Sequence, residues 1–215
     1  MSRIFTHNAS NKASLGVNAI GARLNGASDA SVAAWCYGIA LNSGAGSGQN
    51  NAPFGFILSG NGVGGDLAIT FNTPNFFLTS AWKSASTDAA GVATGATALS
   101  NDHWYHLGCA VSFSAHTLTL YVNGNQDGQN ASTGFGHTTF VNSAGTNPDT
   151  VGAAAASFSA STCFPGWISD LAMWTGTLNA GEWAALAAGA SPDSIRRVPL
   201  LAWWPMLRDG NLIVD

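Results

Sequence analysis

Between Trp104 and Asn123 apolar residues fall at every second position, and this spacing limits the possible folds more than any other feature of the chain. Tyr105, Leu107, Cys109, Val111 and Phe113 follow the period, and Leu118, Leu120 and Val122 resume it after a Ser-Ala-His connection. A period of two belongs to extended chain, because successive strand side chains point to opposite faces. One face of this pair of strands is thereby committed to a buried interior. Asn123-Gly124 ends the second run with two residue types that accept positive φ, so a tight turn is expected there.

Other segments extend the pattern. Ser31–Tyr37, Phe54–Leu58, Asp66–Phe71 and Phe76–Trp82 are apolar runs bounded by Gly, Asn and Ser, as strands are. Asn61-Gly62 predicts a hairpin between the second and third of these. Gly166–Trp174 is apolar on both faces, which predicts a central strand, while Thr138–Val141 and Thr150–Gly152 give shorter strand signals. One helix is predicted over 180–188. Asn179 can cap it with Glu182 three residues on, Trp183, Leu186 and Ala187 share a face, and Gly189 is a natural stop. It is expected to plug one end of the structure. Short strands in succession, with one small helix and no β-α alternation, predict an all-β sandwich of two antiparallel sheets. No repeat or linker divides the chain, so residues 1–215 read as one domain.

Composition narrows the function. Charged residues make up 8% of the chain, against about 25% in an average soluble domain. A polar but weakly charged surface resists association poorly, so self-assembly into a homo-oligomer is expected. The net charge of −4, with Arg196-Arg197 the sole adjacent basic pair, excludes a phosphate backbone as partner. That pair reads as a solvated corner. No apolar run approaches the ~18 residues of a membrane span, and Met1–Phe5 lacks the apolar core of a signal peptide. Cys36, Cys109 and Cys163 form an odd set without close pairs, which fits folding in a reducing cytoplasm.

Three groups of residues taken in order resemble one known family. Ser31-Val-Ala-Ala-Trp35 resembles an early strand of laminin-G-like, concanavalin A-like domains. Trp104-Tyr-His106-Leu with Leu118-Thr-Leu-Tyr-Val-Asn-Gly124 is similar to that family's Trp-x-His strand and Leu-Tyr-Val-Asn-Gly hairpin. Phe164-Pro-Gly-Trp-Ile-Ser-Asp-Leu-Ala-Met-Trp174, with Leu178 and Glu182, looks like its Gly-x-Ile-x-Asp strand and the segment after it. The matching part runs over 31–189, with 190–215 expected as an extension packed on it. The tail from Leu186 through Trp203-Trp204-Pro-Met206 resembles stand-alone members found in tailed bacteriophages, which are virion components. The resemblance implies a jelly-roll sandwich used for glycan or protein binding. Fold alone does not assign function, so each site needs its own argument.

Catalysis by a retaining glycosidase needs two carboxyl groups about 5–5.5 Å apart. No two acidic residues here lie within four positions of each other, and the Glu-x-Asp-x-x-Glu pattern of such hydrolases is absent. No enzyme is therefore expected. His103 and His106 fall on opposite faces of a strand, which makes shared metal ligation awkward. His106 reads as a hydrogen-bonded packing residue beside Trp104, and His7, His116 and His137 as isolated surface or loop residues. No cofactor is expected. The resemblance leaves room for a weak calcium site at Asp127 and Asp149, near Asn125 and Asn147, though no dense acidic cluster supports strong binding. Among the tryptophans, Trp82 beside Lys83 is the candidate sugar-stacking residue, and Trp35, Trp104, Trp167, Trp174 and Trp183 fit core positions. Trp203 and Trp204 adjoin on extended chain, so one should face in and the other out onto a partner subunit.

Three classes of function follow. The first is a non-enzymatic virion protein, a capsid decoration or a tail or fibre component, folded in the host cytoplasm and contacting itself and other virion proteins. The second is a free carbohydrate-binding lectin. The third is a glycoside hydrolase, which the unpaired acids disfavour.

Overall fold

The computed structural model describes residues 3–5, 13–39, 50–58, 63–72, 75–142, 148–152, 164–195 and 197–205. Its strands are β1 (Arg3–Phe5), β2 (Ala13–Val17), β3 (Asp29–Gly38), β4 (Asn50–Leu58), β5 (Val63–Asn72), β6 (Asn75–Trp82), β7 (Gly91–Thr94), β8 (Trp104–Ser112), β9 (Thr117–Val122), β10 (Asn125–Asn130), β11 (Pro148–Val151), β12 (Gly166–Trp174) and β13 (Leu200–Trp204). Two helices, α1 (Gly21–Leu24) and α2 (Ala180–Ala187), and a 3₁₀ turn at Pro192–Ser194 complete the described elements.

Among the described residues the strands form two antiparallel sheets. The first runs β1-β12-β3-β8-β9-β10, with β13 also on β12, and the second runs β2-β11-β4-β5-β6-β7. This is the expected concanavalin A-like jelly-roll sandwich. The alternation read from the sequence fills its interior: Val32, Ala34 and Cys36 of β3, Leu107, Cys109 and Val111 of β8, Leu118 and Leu120 of β9, and Ile168 and Met173 of β12 face Phe76, Leu78, Ala93 and Val151 of the other sheet. Asn123 and Gly124 take φ of 49° and 80°, the positive values that a tight β9–β10 turn requires. β4 and β5 pair up to Leu58 and Val63, as a hairpin must, while Asn61-Gly62 lie outside the described residues.

β12 is internal, as its two apolar faces require. It pairs with β3 along one side and with both β1 and β13 along the other. Thr138–Val141 is not a strand. It is a loop in which buried Phe140 donates its N–H to Ala27 at 2.7 Å and accepts from Gly26 N–H at 2.8 Å.

The helix prediction holds in its bounds and its cap but not in its position. Asn179 Oδ1 accepts from Glu182 N–H at 2.9 Å, and Glu182 returns a carboxylate to Asn179 N–H at 2.7 Å. Instead of plugging an end, α2 lies on the outer face of the first sheet. Trp183, Leu178 and Leu186, with Ile195 and Val198 from the following segment, bury Ala33, Ala110, Ala172 and Trp174. Small strand residues make this approach possible: a Cβ on Gly108 would sit 2.4 Å from the Trp183 ring. Arg197, read as part of a solvated corner, forks onto Glu182 at 2.7 and 3.0 Å and so ties that segment to the helix start. Arg196 lies outside the described residues.

The two sheets also meet along one flank. Ala96 N–H donates to Asp127 O at 3.2 Å, Asn130 Nδ2 to Val92 O at 2.9 Å, and Thr97 N–H to Asp127 Oδ1 at 2.9 Å. Glycine is required there because a Cβ on Gly128 would stand 2.4 Å from Thr94 O. β7 and β10 are thereby joined across the sandwich edge.

Candidate functional site

α2 and the segment after it cover the part of the first sheet's outer face that carries Ala33, Ala110, Ala172 and Trp174. Beyond them the same face carries a row of rings set by strand register. Trp104 of β8 lies opposite Tyr37 of β3, and Tyr37 lies opposite Trp167 of β12. Ring centroids are 5.5 Å apart in the first pair and 4.9 Å in the second. Tyr37 and Trp167 are half-buried, and Trp104 is 42% exposed, which overturns its assignment to the core. The reason is that α2 stops short of this row. Tyr37 OH reaches Asp102 Oδ1 at 3.5 Å, a polar group at the margin of the row.

The next row inward holds Trp35 and His106, with centroids 5.3 Å apart. Together with Asp170, Trp174 and the 186–192 segment they line a pocket of about 210 Å³ between the sheet and the end of α2. Asp170 sits at a bulge in β12 with φ of 50°, where the register slips between Ser169 and Ala172. Its carboxylate accepts from Ser169 Oγ at 2.8 Å and from Trp203 Nε1 at 3.3 Å.

His106 is buried, 2% exposed, and burial pushes its pKa down to about 4. The imidazole is therefore neutral at neutral pH, and its Nδ1 has no hydrogen-bond partner. Trp174 Nε1 is likewise buried without one.

The sequence-stated sites divide. Trp82 is not an exposed platform. It is 1% exposed, at the end of β6, with its Nε1 donating to Ser80 Oγ at 3.0 Å and its ring against Phe113. Phe76, Leu78, Ser80 and Trp82 alternate inward, a signal present in the sequence that the neighbouring Lys83 obscured. Trp204 is 3% exposed in the sandwich core, so it offers nothing to a partner, whereas Trp203 points outward, half-buried and held by Asp170. The one-in, one-out geometry is as expected. Trp174 and Trp183 are fully buried, as read; Trp35 and Trp167 are half-buried.

Asp127 and Asp149 stand in separate surroundings. Asp127 binds Thr97 through its backbone N–H and hydroxyl, and buried Asp149 accepts Ile20 N–H at 2.7 Å beside α1. Asn147 lies outside the described residues. Among the described residues no three His, Cys, Asp or Glu side chains are grouped to hold a metal. Cys36 and Cys109 are buried and neither is in a disulfide, and Cys163 and His7 lie outside the described residues. One contact had no sequence signal: His137 Nδ1 meets Asp88 at 2.8 Å, and Ser84 Oγ donates to the same carboxylate.

His106 and Asp149 together set an expected pH response. Burial raises the Asp149 pKa from 3.8 to about 6, against the pull of the Ile20, Ala19 and Gly21 backbone N–H groups. Between pH 6 and pH 4 the unfolded chain holds a proton on histidine that native His106 refuses, so acid favours unfolding. Native Asp149 holds a proton that the unfolded aspartate has released, so acid favours folding. The two slopes oppose each other and nearly cancel. Asp149→Asn removes one of them, and stability should then fall by up to about 3 kcal/mol on going from pH 6.5 to pH 4. Urea melts of both proteins at the two pH values test this. Parallel behaviour of the two proteins would show that one of the buried groups titrates normally.

Comparison with known proteins places this arrangement. The family described as the concanavalin A-like lectin/glucanases superfamily matches residues 9–183. No curated protein matches the sequence. A heptameric SAP-like pentraxin from Limulus polyphemus superposes with a TM-score of 0.62 at 13% identity, covering 95% of this chain and 84% of that one. A Ruminococcus gnavus sialidase CBM40 bound to α2,3 sialyllactose gives 0.60 at 11% identity, with 86% and 96% covered. Domain 4 of a Geobacillus stearothermophilus arabinanase in complex with arabinotriose gives 0.55 at 17% identity, with 86% and 76% covered. At such identities the likeness is one of fold.

Proposed function

On the footing that this chain belongs to the concanavalin A-like lectin/glucanase superfamily, we propose that it is a non-catalytic protein that binds glycans on the outer face of its first sheet. The observation that carries the reading is the row Trp104–Tyr37–Trp167, in register across three strands with its outermost ring 42% exposed. A sugar ring has an apolar face of C–H bonds and a rim of hydroxyls. An aromatic surface edged by carboxylates such as Asp102 and Asp170 meets both needs. Two of the superposed structures carry sugars, and those sugars are properties of those proteins.

The absence of catalysis is part of the proposal. Five of the described acids have separate partners: Asp88 with Ser84 and His137, Asp127 with Thr97, Asp149 with Ile20, Asp170 with Ser169 and Trp203, and Glu182 with Asn179 and Arg197. Trp104→Ala is expected to weaken binding to immobilised oligosaccharides at least about tenfold, equivalent to about 1.4 kcal/mol, with the melting temperature almost unchanged. A wild-type protein silent across a broad glycan array would reject the assignment.

A second reading keeps the virion role, with the protein self-assembled on a phage particle after folding in the host cytoplasm. Its support is a surface with few charges to repel a second copy. That reading expects the protein to sediment with purified particles.

A further inference from the structure

The pocket beside Trp35 holds one carboxylate with hydrogen-bonding capacity to spare. A carboxylate offers about four lone-pair positions, and Ser169 and Trp203 use two of those on Asp170. A hydroxyl can donate to the others while its ring packs on an aromatic face, so a sugar ring suits Asp170 and Trp35 together.

Size limits the occupant to one ring. A cavity of roughly 150 Å³ holds benzene, and this one is about 210 Å³. Leu186 and the Gly189–Pro192 segment wall off one side, and Ala33 and Trp174 belong to the sheet beneath. Trp35 lines the pocket and stands two residues along β3 from Tyr37 and the aromatic row. A glycan seated in the pocket can therefore extend toward that row.

Charge selects the class. Among the described residues no lysine or arginine lines the pocket, while one carboxylate does. His106 adds no positive charge at neutral pH, since burial holds its pKa near 4. Arg197, a described cation close to α2, is engaged by Glu182.

We propose that this pocket captures the terminal residue of an uncharged glycan, whose following residues lie over Trp35 and the Tyr37–Trp104 row. This rests on the glycan-binding reading and adds to it both an end-on mode and a preference against acidic sugars.

The experiment is titration calorimetry with neutral gluco-, xylo-, manno- and arabino-hexaoses, and with the same chains ending in a uronic acid. Three variants join the wild type. Ser191→Trp places a bulky group at the exposed rim of the pocket, Asp170→Asn removes its charge, and Trp104→Ala strips the outer row. Thermal melts confirm that each is folded.

The expected result is that one neutral series binds, that Ser191→Trp weakens it at least tenfold, and that the uronate-ended chain binds at least tenfold more weakly than its neutral counterpart. Asp170→Asn should narrow that second gap severalfold. If Ser191→Trp binds as the wild type does while Trp104→Ala does not, the pocket proposal fails and the aromatic row stands. Tighter binding of the uronate-ended chain overturns the charge argument. Should none of the hexaoses, neutral or acidic, bind the wild type, the pocket and the row fall together.

Discussion

Trp183→Ala is expected to destabilise the protein by about 3–5 kcal/mol, the range found when a large buried aromatic is truncated. Trp183 is fully buried, although it comes from a helix of eight residues that could not persist alone. Its ring stacks on Tyr121 at 4.2 Å and 13°, and fills the space that Gly108 leaves on β8. Without it α2 has little to hold it against the sheet, because Leu178 and Leu186 pack around the same ring. Guanidinium melts followed by circular dichroism measure the effect, and a loss below 1 kcal/mol would contradict the packing described. A second arm checks the mechanism. Gly108→Ala should destabilise the wild type by about 1–3 kcal/mol through overpacking and should cost less in the Trp183→Ala background, where the contact with Val32 O at 2.8 Å remains but the clash with the ring is gone. Neighbours that share a contact are not additive.

Trp82→Ala is expected to cost a similar amount, about 3–5 kcal/mol, while leaving oligosaccharide affinity unchanged in the fraction that remains folded. The ring is 1% exposed against Phe113, and its indole N–H is spent on Ser80. Removal leaves a cavity in the sandwich and takes the donor from Ser80. Calorimetric unfolding beside a binding titration separates the two readings. A stable variant that no longer binds sugar would return Trp82 to the role its polar neighbours suggested.

The fold was legible in the sequence wherever one face of a strand was apolar and the other not. β8 and β9 announced themselves by a period of two, β12 by being apolar throughout, and α2 by the Asn179–Glu182 pair. What could not be read was the third layer. The same alternation that sends Leu107 and Cys109 inward sends His106 and Gly108 outward, and nothing local says that a helix some seventy-five residues later will cover Gly108 and leave Trp104 bare. The candidate site was missed for that reason, since its residues sit where a distant element ends. The pairing of Asp170 with Trp203 depends on a bulge and on the return of β13 to β12, both non-local events. Trp82 was misjudged for the opposite cause. Its local neighbours are polar, yet its alternation with Phe76 and Leu78 was the better guide.

The stitching of β7 to β10 has a bearing on how this protein tolerates crowding. An open strand at a sheet margin is a template on which another polypeptide can add, and sparse charge does little to keep newcomers away. Along this flank Ala96 N–H is turned on Asp127 O and the Asn130 side-chain amide on Val92 O. Runaway stacking into fibrils is denied a starting point there, and a protein poor in charges can be kept at high concentration by geometry where repulsion is weak.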